Sequence, residues 1–454
     1  MKLNRDTAPS AIGKLEFHLP DIKQFKLSNG LQILFVEKNN LPIIQMNLIV
    51  NAGSRFDPVN KSGLAYLTSM LIDEGAGNFS ALELDNEIES LGSIFGVSTD
   101  SDLIYLNMLM IKDKFERSLE LLTTIYTSPL FTQNDFDREK KNLLTNIVRH
   151  YDEPSYIASS SFRNLVYNTT PYAHPIIGNK QSVENFSNNE VIQYYKNNFS
   201  PSNSNLIVVG NITQSELETK LNKYFNTSST EVNNINDISL PRKNDDKFYI
   251  IHKDGAAQSE IKIGHITNKR IDPDFYAKVI MNSILGGQFS SRLNLNLRED
   301  KGFTYGISSS YNYNRFFGHF QISTSVKGEN TGQTLEEIKK EIDGIKLNIT
   351  TEEIDFVKSY LIKRFPAMFE TYAQIANNLT SLIHYSMDKN YFNDYLKNID
   401  NCTKKEIEEA AHKKINSDEL IYLVVGDKEN ILPQISSVTE GNIVELDKFG
   451  QRIN

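Results

Sequence analysis

The chain contains an internal repeat, and this repeat limits the folds open to it more than any other feature. A strand-like run ending in Val-Val-Gly-Asn at Asn211 is matched by one ending in Val-Val-Gly-Asp at Asp427. Before each run the pattern has the same order, with strands first, long amphipathic helices next and one closing strand. Repetition of the whole order indicates a duplication. The sequence therefore predicts an α+β fold of two homologous halves, each with a mixed or antiparallel sheet packed against helices.

A stretch poor in core residues separates the two halves. Residues 226–246, NTSSTEVNNINDISLPRKNDD, are rich in Asn, Ser and Asp, which is typical of a linker. We therefore expect an N-terminal half over residues 1–228, a linker over 229–246 and a C-terminal half over 247–454. The two halves would then face each other as a clamshell.

Local signals place several elements within this plan. Asn29-Gly30 lies between two apolar runs and predicts a β-hairpin. Ser80, with Glu83 three residues later, has the pattern of a capping box and predicts the start of a helix. The motifs below can therefore be assigned to helices or strands.

Composition excludes several classes of partner. The 454 residues include 57 acidic and 48 basic side chains, a net charge of -9, which argues against nucleic acid or an anionic membrane surface as a partner. The single cysteine, Cys402, excludes an intrachain disulfide framework and a cysteine-rich metal cluster.

No segment reaches the ~20 apolar residues of a membrane span, and the N-terminus lacks the apolar core of a signal peptide. We expect a cytoplasmic protein, or a periplasmic one if a leader was removed from the given sequence.

The stretch from Leu285 to Tyr311 predicts a helix, a tight break at Lys301-Gly302 and then a strand. Arg298 falls in the last helical turn and Tyr305 at the start of the strand. Such a pair can hold a peptide carbonyl or a carboxylate; alternatively, Arg298 answers the helix dipole and Tyr305 is strand surface. The predicted helix has its apolar positions at i, i+4 and i+8, which are Phe289, Leu293 and Leu297.

A second stretch, GLAYLTSMLIDEG, resembles the zinc-site helix of a known family. The pitrilysin and mitochondrial processing peptidase family, the inverzincins, carries an H-x-x-E-H motif after Gly-Leu-Ala. The flanking segments NAGSRFDP and SALELDNEIESLG are also similar to that family. The resemblance implies a helix in which two histidines bind zinc and the glutamate between them is the general base. It implies a third ligand, a glutamate, about 76 residues further on.

Position by position, the family's zinc-site residues are absent. Its two histidines correspond to Tyr66 and Met70, its base to Ser69 and its distal glutamate to Asn146. Phenol, thioether and amide groups are poor zinc ligands, and serine is not a general base at neutral pH. We therefore predict no zinc or other cofactor in this chain and no hydrolysis by the chain alone. Tyr66 and Met70 are expected to fill the former metal pocket.

Two carboxylates near these positions, Glu74 and Glu139, have no histidine partner. The eight histidines include no pair spaced i, i+3 or i+4, so no alternative metal-binding helix is indicated. We interpret both glutamates as solvated or salt-bridged side chains.

The C-terminal half resembles the same family in another part. In the family, an arginine and a tyrosine seven residues apart reach into the active site, and they correspond here to Arg298 and Tyr305. The resemblance thus implies the non-catalytic subunit of a heterodimeric peptidase, which binds unfolded or short peptides together with an H-x-x-E-H partner that carries the zinc. Two other interpretations stay open: a peptide-binding clamshell without a peptidase partner, and a structural scaffold subunit.

Overall fold

A computed structural model describes residues 17–230, 232, 237–439 and 441–453. The predicted linker, 229–246, lies partly outside the described residues, at 231 and 233–236, and so does the N-terminal segment 1–16. The half boundaries drawn at 228 and 247 therefore remain a prediction. Within the described ranges no helix combines the length and the apolar character that crossing a bilayer requires.

The N-terminal half is built on a six-stranded sheet with the spatial order β1-β2-β6-β3-β5-β4. The predicted hairpin forms around Asn29-Gly30, because Gly30 takes a positive φ of 95°, which glycine adopts without strain. The strands are β1 (Lys23–Lys26), β2 (Gln32–Glu37), β3 (Ile43–Val50), β4 (Ile94–Thr99), β5 (Ile104–Ile111) and β6 (Ser204–Gly210).

Eight helices of this half lie in the described part of the chain. The capping box of Ser80 and Glu83 is present and starts the second of them, as the sequence predicted. The helices are α1 (Leu64–Leu71), α2 (Ala81–Ser90), α3 (Phe115–Thr127), α4 (Gln133–His150), α5 (Pro154–Tyr167), α6 (Lys180–Glu184), α7 (Asn188–Asn198) and α8 (Gln214–Tyr224).

The C-terminal half repeats this plan on a second six-stranded sheet, ordered β12-β7-β11-β8-β10-β9. Its strands are β7 (Phe248–His252), β8 (Gln258–Thr267), β9 (Ile307–Tyr313), β10 (Gly318–Lys327), β11 (Ile421–Gly426) and β12 (Ile443–Leu446). Its helices are α9 (Phe275–Asn282), α10 (Arg292–Asn294), α11 (Thr331–Leu347), α12 (Thr351–Arg364), α13 (Tyr372–His384), α14 (Tyr395–Asn401), α15 (Lys404–Lys414) and α16 (Lys428–Val438).

The two sheets match strand for strand over five positions. In each, the closing strand runs parallel to one neighbour and antiparallel to the other: β6 lies between β2 and β3, and β11 between β7 and β8. The sixth strands differ, since β1 is antiparallel to β2 and comes from the start of the chain, whereas β12 is parallel to β7 and comes from its end. The predicted α+β fold of two homologous halves is confirmed; β12 was not predicted.

Helices cover both faces of the N-terminal sheet. On β6, Leu206 and Val208 pack in the core that includes α1 and α3, while Ile207 and Val209 pack in a second cluster with α13. Because successive strand residues point to opposite faces, burial on both sides requires an uninterrupted apolar run. This is why the closing strand reads Leu-Ile-Val-Val-Gly.

The helix that covers the outer face of each sheet comes from the other half. α13 contacts β3 and β6, and α5 contacts β8 and β11. At Gly264 on β8 an added Cβ atom would lie 3.0 Å from the ring of Phe162 on α5 and 1.9 Å from the carbonyl oxygen of Phe320, so only glycine permits this close approach. The two halves thus exchange one helix each and share their cores.

A buried charge network also joins the halves. Asp102, in the β4–β5 loop, is fully buried and accepts hydrogen bonds from the hydroxyl of Tyr172 (2.7 Å), the Nε2 of His384 (2.9 Å) and the backbone N–H of Arg315 (2.9 Å). The Nε of Arg55 lies 2.8 Å from the same carboxylate. His384 and Arg315 belong to the C-terminal half, so one carboxylate of the N-terminal half ties the two together.

Candidate functional site

A rigid corner carries Arg298 and Tyr305. α10 continues into a wider, π-helical turn over Leu295–Asp300, and such turns occur frequently at functional sites. The turn ends at Gly302, which has a positive φ of 65°. Glycine commonly adopts this left-handed conformation just after the end of a helix. The backbone N–H of Phe303 then donates to the carbonyl of Leu297 (2.9 Å) and fixes the exit of the chain.

Arg298 lies in this π-helical turn with its side chain about one-third exposed. Its guanidinium carbon is 4.5 Å from the centroid of the Phe289 ring, and its Nε is 3.4 Å from a carboxylate oxygen of Glu299. The aromatic ring supports the planar guanidinium. Because Glu299 is a neighbour in sequence with an exposed side chain, this ion pair is weak, and the guanidinium remains able to bind a ligand.

The predicted helical face needs one correction. Leu293 and Leu297 are fully buried as expected, but Phe289 is 61% exposed. The physical reason is that the helix begins only at Arg292, so Phe289 precedes it and does not share its buried face. Its ring lies against Arg298 instead.

Tyr305 projects from a pinned loop before β9, because the strand starts at Ile307, two residues later than the sequence indicated. Its side chain is 92% exposed, and its hydroxyl makes no hydrogen bond to any other described residue. The neighbouring Thr304 hydroxyl donates to the carbonyl of Gly306 (2.9 Å) and accepts from Thr324 (2.9 Å). The backbone is therefore held while the phenol faces outward.

Asn294 holds the two sides of the corner together. Its buried side-chain amide donates to the carbonyl of Ile307 (2.7 Å), the first residue of β9. Sequence reasoning missed this residue, since an asparagine at the start of a helix usually indicates a local cap. The structure shows that Asn294 joins α10 to β9, because the chain folds back and brings Ile307 next to it.

The helix that corresponds to the family's zinc-site helix forms as predicted. α1 begins at Leu64 because the Asp57 carboxylate accepts hydrogen bonds from the backbone N–H groups of Gly63 (2.8 Å) and Ala65 (2.7 Å), which are otherwise unpaired at a helix N-terminus. α1 packs on α4, the helix of the expected third ligand. The framework around the former metal position is therefore present.

The side chains at the four zinc-site positions do not fit zinc. Tyr66 and Met70 are half-buried and pack against the N-terminal core. Ser69 is buried and donates its hydroxyl to the backbone carbonyl of Tyr66 (2.7 Å). Asn146 lies half-buried on α4. None of the four offers an imidazole, thiolate or carboxylate, the groups that bind zinc in proteins.

One cation forms ion pairs with three carboxylates beside these positions. Arg138, on α4, forms ion pairs with Glu74, with Asp135 (2.7 Å) and with Glu139 (2.9 Å). Glu139 also accepts a hydrogen bond from the amide of Asn142 (3.1 Å). The interpretation of Glu74 and Glu139 as salt-bridged residues agrees with these contacts. Sequence reasoning did not single out Arg138, because a guanidinium between acidic residues is common on helix surfaces.

The structure does not bring the two sets of predicted residues together. Among described residues, no hydrogen bond, ion pair or ring contact joins Tyr66, Ser69, Met70 or Asn146 to Arg298 or Tyr305. No group of three or more His, Cys, Asp or Glu side chains in the described ranges is placed to hold a metal ion. The exposed Arg298–Tyr305 corner and the residue set that does not fit zinc are thus separate features of the chain.

Comparisons with known proteins agree with this picture. The family model described as Insulinase (Peptidase family M16) matches residues 33–180, and the one described as Peptidase M16 inactive domain matches residues 185–361. An uncharacterized zinc protease of Rickettsia bellii is 24% identical over 74% of this chain and 81% of its own length. The non-peptidase homolog YmxG of Helicobacter pylori is 22% identical over 87% of this chain and 92% of its own length.

Solved structures share the fold. The crystal structure of a peptidase M16 inactive domain from Pseudomonas fluorescens superposes with a TM-score of 0.84 at 24% identity, over 90% of this chain and 98% of that chain. A protease from Helicobacter pylori gives a TM-score of 0.81 at 20% identity, over 90% of this chain and 100% of that chain. Two models of one family match consecutive parts of the sequence, which confirms the resemblance: the chain belongs to peptidase family M16.

Proposed function

We propose that this chain is the non-catalytic subunit of a heterodimeric zinc metallopeptidase and that Arg298 and Tyr305 bind peptide substrate in the active site of an H-x-x-E-H partner. One observation carries the proposal. The chain presents the exposed phenol of Tyr305 and the guanidinium of Arg298, which lies against the Phe289 ring, on one hydrogen-bonded corner. The four positions that correspond to the family's zinc-site residues carry no zinc ligand. A chain with substrate-binding groups and no metal ligands needs a second chain for hydrolysis.

The two side chains have distinct roles in the proposed complex. The partner's zinc supplies an activated water and polarises the scissile carbonyl. The hydroxyl of Tyr305 donates a hydrogen bond to the scissile carbonyl oxygen, which becomes negatively charged in the transition state, or to the neighbouring peptide carbonyl. The planar guanidinium of Arg298 donates to a second carbonyl or to an acidic side chain of the peptide. Because the loop around Tyr305 is pinned by Thr304, little reorganisation is needed when substrate binds.

The relatives support a division of labour within the family. Helicobacter pylori has both a protein named zinc protease PqqE, 23% identical over 79% of this chain, and one named non-peptidase homolog. One organism thus holds members with both kinds of name. The substrates we propose are unfolded or short peptides, because the family's arginine–tyrosine pair holds peptide backbone.

Substitution of the pair in the mixed complex tests the proposal. Tyr305→Phe and Arg298→Ala should each lower kcat/KM for an unfolded peptide, with Tyr305→Phe reducing it roughly 100-fold, since that is the typical effect of losing one oxyanion donor. Both side chains are exposed, so assembly measured by size-exclusion chromatography should be unchanged. Tyr360→Phe serves as the matched control, because Tyr360 is a partly exposed tyrosine on α12 that contacts only Arg364 by hydrogen bond.

Unchanged turnover in both variants would overturn the proposed role of the pair and would favour a scaffold subunit. Copurification with bound peptide, but never with a zinc-containing chain, would favour a peptide-binding clamshell.

A further inference from the structure

A cavity of about 640 Å³ lies between the two halves. Its walls come from α5 and the β4–β5 region on one side and from α13 and the β9–β10 hairpin on the other. The exchanged helices therefore enclose it together. Neither Arg298 nor Tyr305 lines it. The four positions that correspond to the family's zinc-site residues do not line it either. Its volume is within the range of small-molecule sites in proteins, roughly 300 to 1,000 Å³.

One wall of the cavity carries an arginine without a counter-ion. Arg163, half-buried on α5, donates through Nη1 to the hydroxyl of Ser101 (2.9 Å) and to the carbonyl of Tyr172 (3.3 Å). Both acceptors are neutral. No carboxylate of the described residues lies within ion-pair distance of Arg163, although a guanidinium facing a partly enclosed cavity is strongly favoured by a negative partner.

The other ionisable groups of the cavity already have partners or are uncharged. The Asp100 carboxylate accepts from the hydroxyl of Tyr105 (2.5 Å) and from backbone N–H groups. His384 is bound to the buried Asp102. Burial, reinforced by the charge of Arg163, lowers the pKa of His319 to about 3, so this imidazole is neutral at pH 7. Arg163 is therefore the only arginine or lysine of the lining, and it has no carboxylate partner among the described residues; the Asp100 carboxylate is the corresponding anion, with its oxygens occupied by neutral donors.

The rest of the lining suits a small polar molecule. The C-terminal half contributes side-chain amides, including Asn377, whose carbonyl oxygen accepts from Asn47 (3.2 Å). Its amide N–H groups donate to no other described residue. The lining also includes five aromatic rings, which add apolar surface; they are Tyr105, Phe162, Tyr167, Tyr313 and Tyr385.

We propose that this cavity binds a small carboxylate-bearing molecule of about dipeptide size, with its carboxylate on the guanidinium of Arg163. A planar guanidinium pairs with a carboxylate through two parallel hydrogen bonds, and the amide donors of the opposite half hold the remaining polar groups. The ligand contacts both halves, so it stabilises their association. This site is independent of the proposed peptidase role, since it uses none of the same residues.

Isothermal titration calorimetry on the full chain tests the site with three probes: Ala-Ala, its C-terminal amide and succinate. The carboxylate-bearing probes should bind and the amide should bind at least tenfold more weakly. Preference for Ala-Ala would identify a peptide C-terminus as the source of the carboxylate, and preference for succinate a free organic acid. No binding by any probe up to about 10 mM, or equal binding of the amide, would overturn the proposal.

Variants locate the bound carboxylate. Arg163→Gln should weaken binding of the preferred probe at least tenfold and Arg163→Lys by less, because lysine retains the charge without the planar fork. Arg149→Gln, an exposed arginine on α4, is the matched control and should bind normally. If Arg163→Gln fails to fold, the Tm of the unaltered chain is measured with each probe instead. A larger rise in Tm with Ala-Ala or succinate than with the amide would support carboxylate binding, and an equal rise would contradict it. Normal binding by a folded Arg163→Gln variant would overturn the proposed contact.

Discussion

The family resemblance aligns Ser69 with the catalytic glutamate of the zinc enzymes, but the surroundings of Ser69 differ from those of a metal site. The side chain is buried in α1, and its hydroxyl is bonded to a helix carbonyl one turn earlier. On the same helix, Tyr66 and Met70 pack against the core. Nearby, Arg138 forms ion pairs with Glu74 and Glu139. Packing and ion pairs thus occupy the side chains at and beside the positions that the resemblance aligned with the zinc site.

This arrangement predicts a stability cost for restoring the glutamate alone. Ser69→Glu places a carboxylate in a buried position without a metal or hydrogen-bond partner, so we expect the free energy of unfolding to fall by roughly 2 to 5 kcal/mol. Ser69→Ala, the matched control, loses only a bond to a helix carbonyl and should change stability by less than about 0.5 kcal/mol. Urea denaturation measures both. Equal stability of the two variants would contradict this account of the pocket.

At the scale of elements, the buried carboxylate of Asp102 connects a loop of one half to α13 of the other. Burial alone would raise the pKa of Asp102, but the hydrogen bond from His384 and the charges of His384 and Arg55 outweigh it and hold the pKa below its ordinary value of 3.8. A carboxylate with a lowered pKa stabilises the folded state above the pKa that it has when unfolded. That contribution is lost as the pH falls through the lower, folded value.

Asp102→Asn should therefore destabilise the protein in a pH-dependent way. At pH 7 the variant leaves Arg55 buried without its carboxylate, and we expect a loss of roughly 3 to 5 kcal/mol in the free energy of unfolding. The difference from the unaltered protein should stay constant above about pH 4 and shrink below it. Chemical denaturation at several pH values measures this. Asp355→Asn, at an exposed position on α12, is the control, and a pH-independent difference for Asp102→Asn would contradict the assignment.

The sequence predicted most elements but not their placement. The apolar runs that end at Gly210 and Gly426 predicted the closing strand of each half, because burial on both faces leaves a continuous pattern. The exchange of α5 and α13 was not predictable, since an amphipathic helix has the same pattern whichever sheet it covers. β12 was missed because a four-residue strand at the edge of a sheet has too few residues to show a period.

The residues of the candidate site and of the buried network divide in the same way. Family spacing predicted Arg298 and Tyr305 as site residues, whereas the corner that presents them depends on Asn294, whose partner Ile307 is reached only after the chain turns back. Arg138 and Asp102 were not identified, because their partners come from distant parts of the chain. The spacing of residues along one helix can be predicted from a sequence. Hydrogen bonds and ion pairs between residues of distant elements cannot, because they depend on how the elements pack.

At the scale of the whole molecule, the exchanged helices make each half depend on the other. Ile207 and Val209 of the N-terminal sheet are covered by α13, which the chain provides only after residue 371. Without that helix, one apolar face of the sheet would be exposed to solvent, and a sheet face of this kind does not support a stable fold. The two halves should consequently fold as one cooperative unit.

Expression of the halves as fragments tests this dependence. The fragment 17–230 alone should lack a cooperative thermal transition, and mixing it with the fragment 237–453 should restore one. The intact chain should unfold in a single transition, observed both by circular dichroism and by tyrosine fluorescence. A sharp, independent transition of the fragment 17–230 would show that the halves are self-sufficient.

We propose that this chain provides substrate-binding groups but no catalytic zinc. Elemental analysis of the purified chain, and of its complex with an H-x-x-E-H member of the family, distinguishes the two cases. Hydrolysis of an unfolded peptide is measured on the same samples. We predict no stoichiometric zinc and no hydrolysis for the chain alone, and one zinc per pair of chains with hydrolysis for the complex. One zinc per isolated chain, accompanied by cleavage of the peptide, would contradict the account.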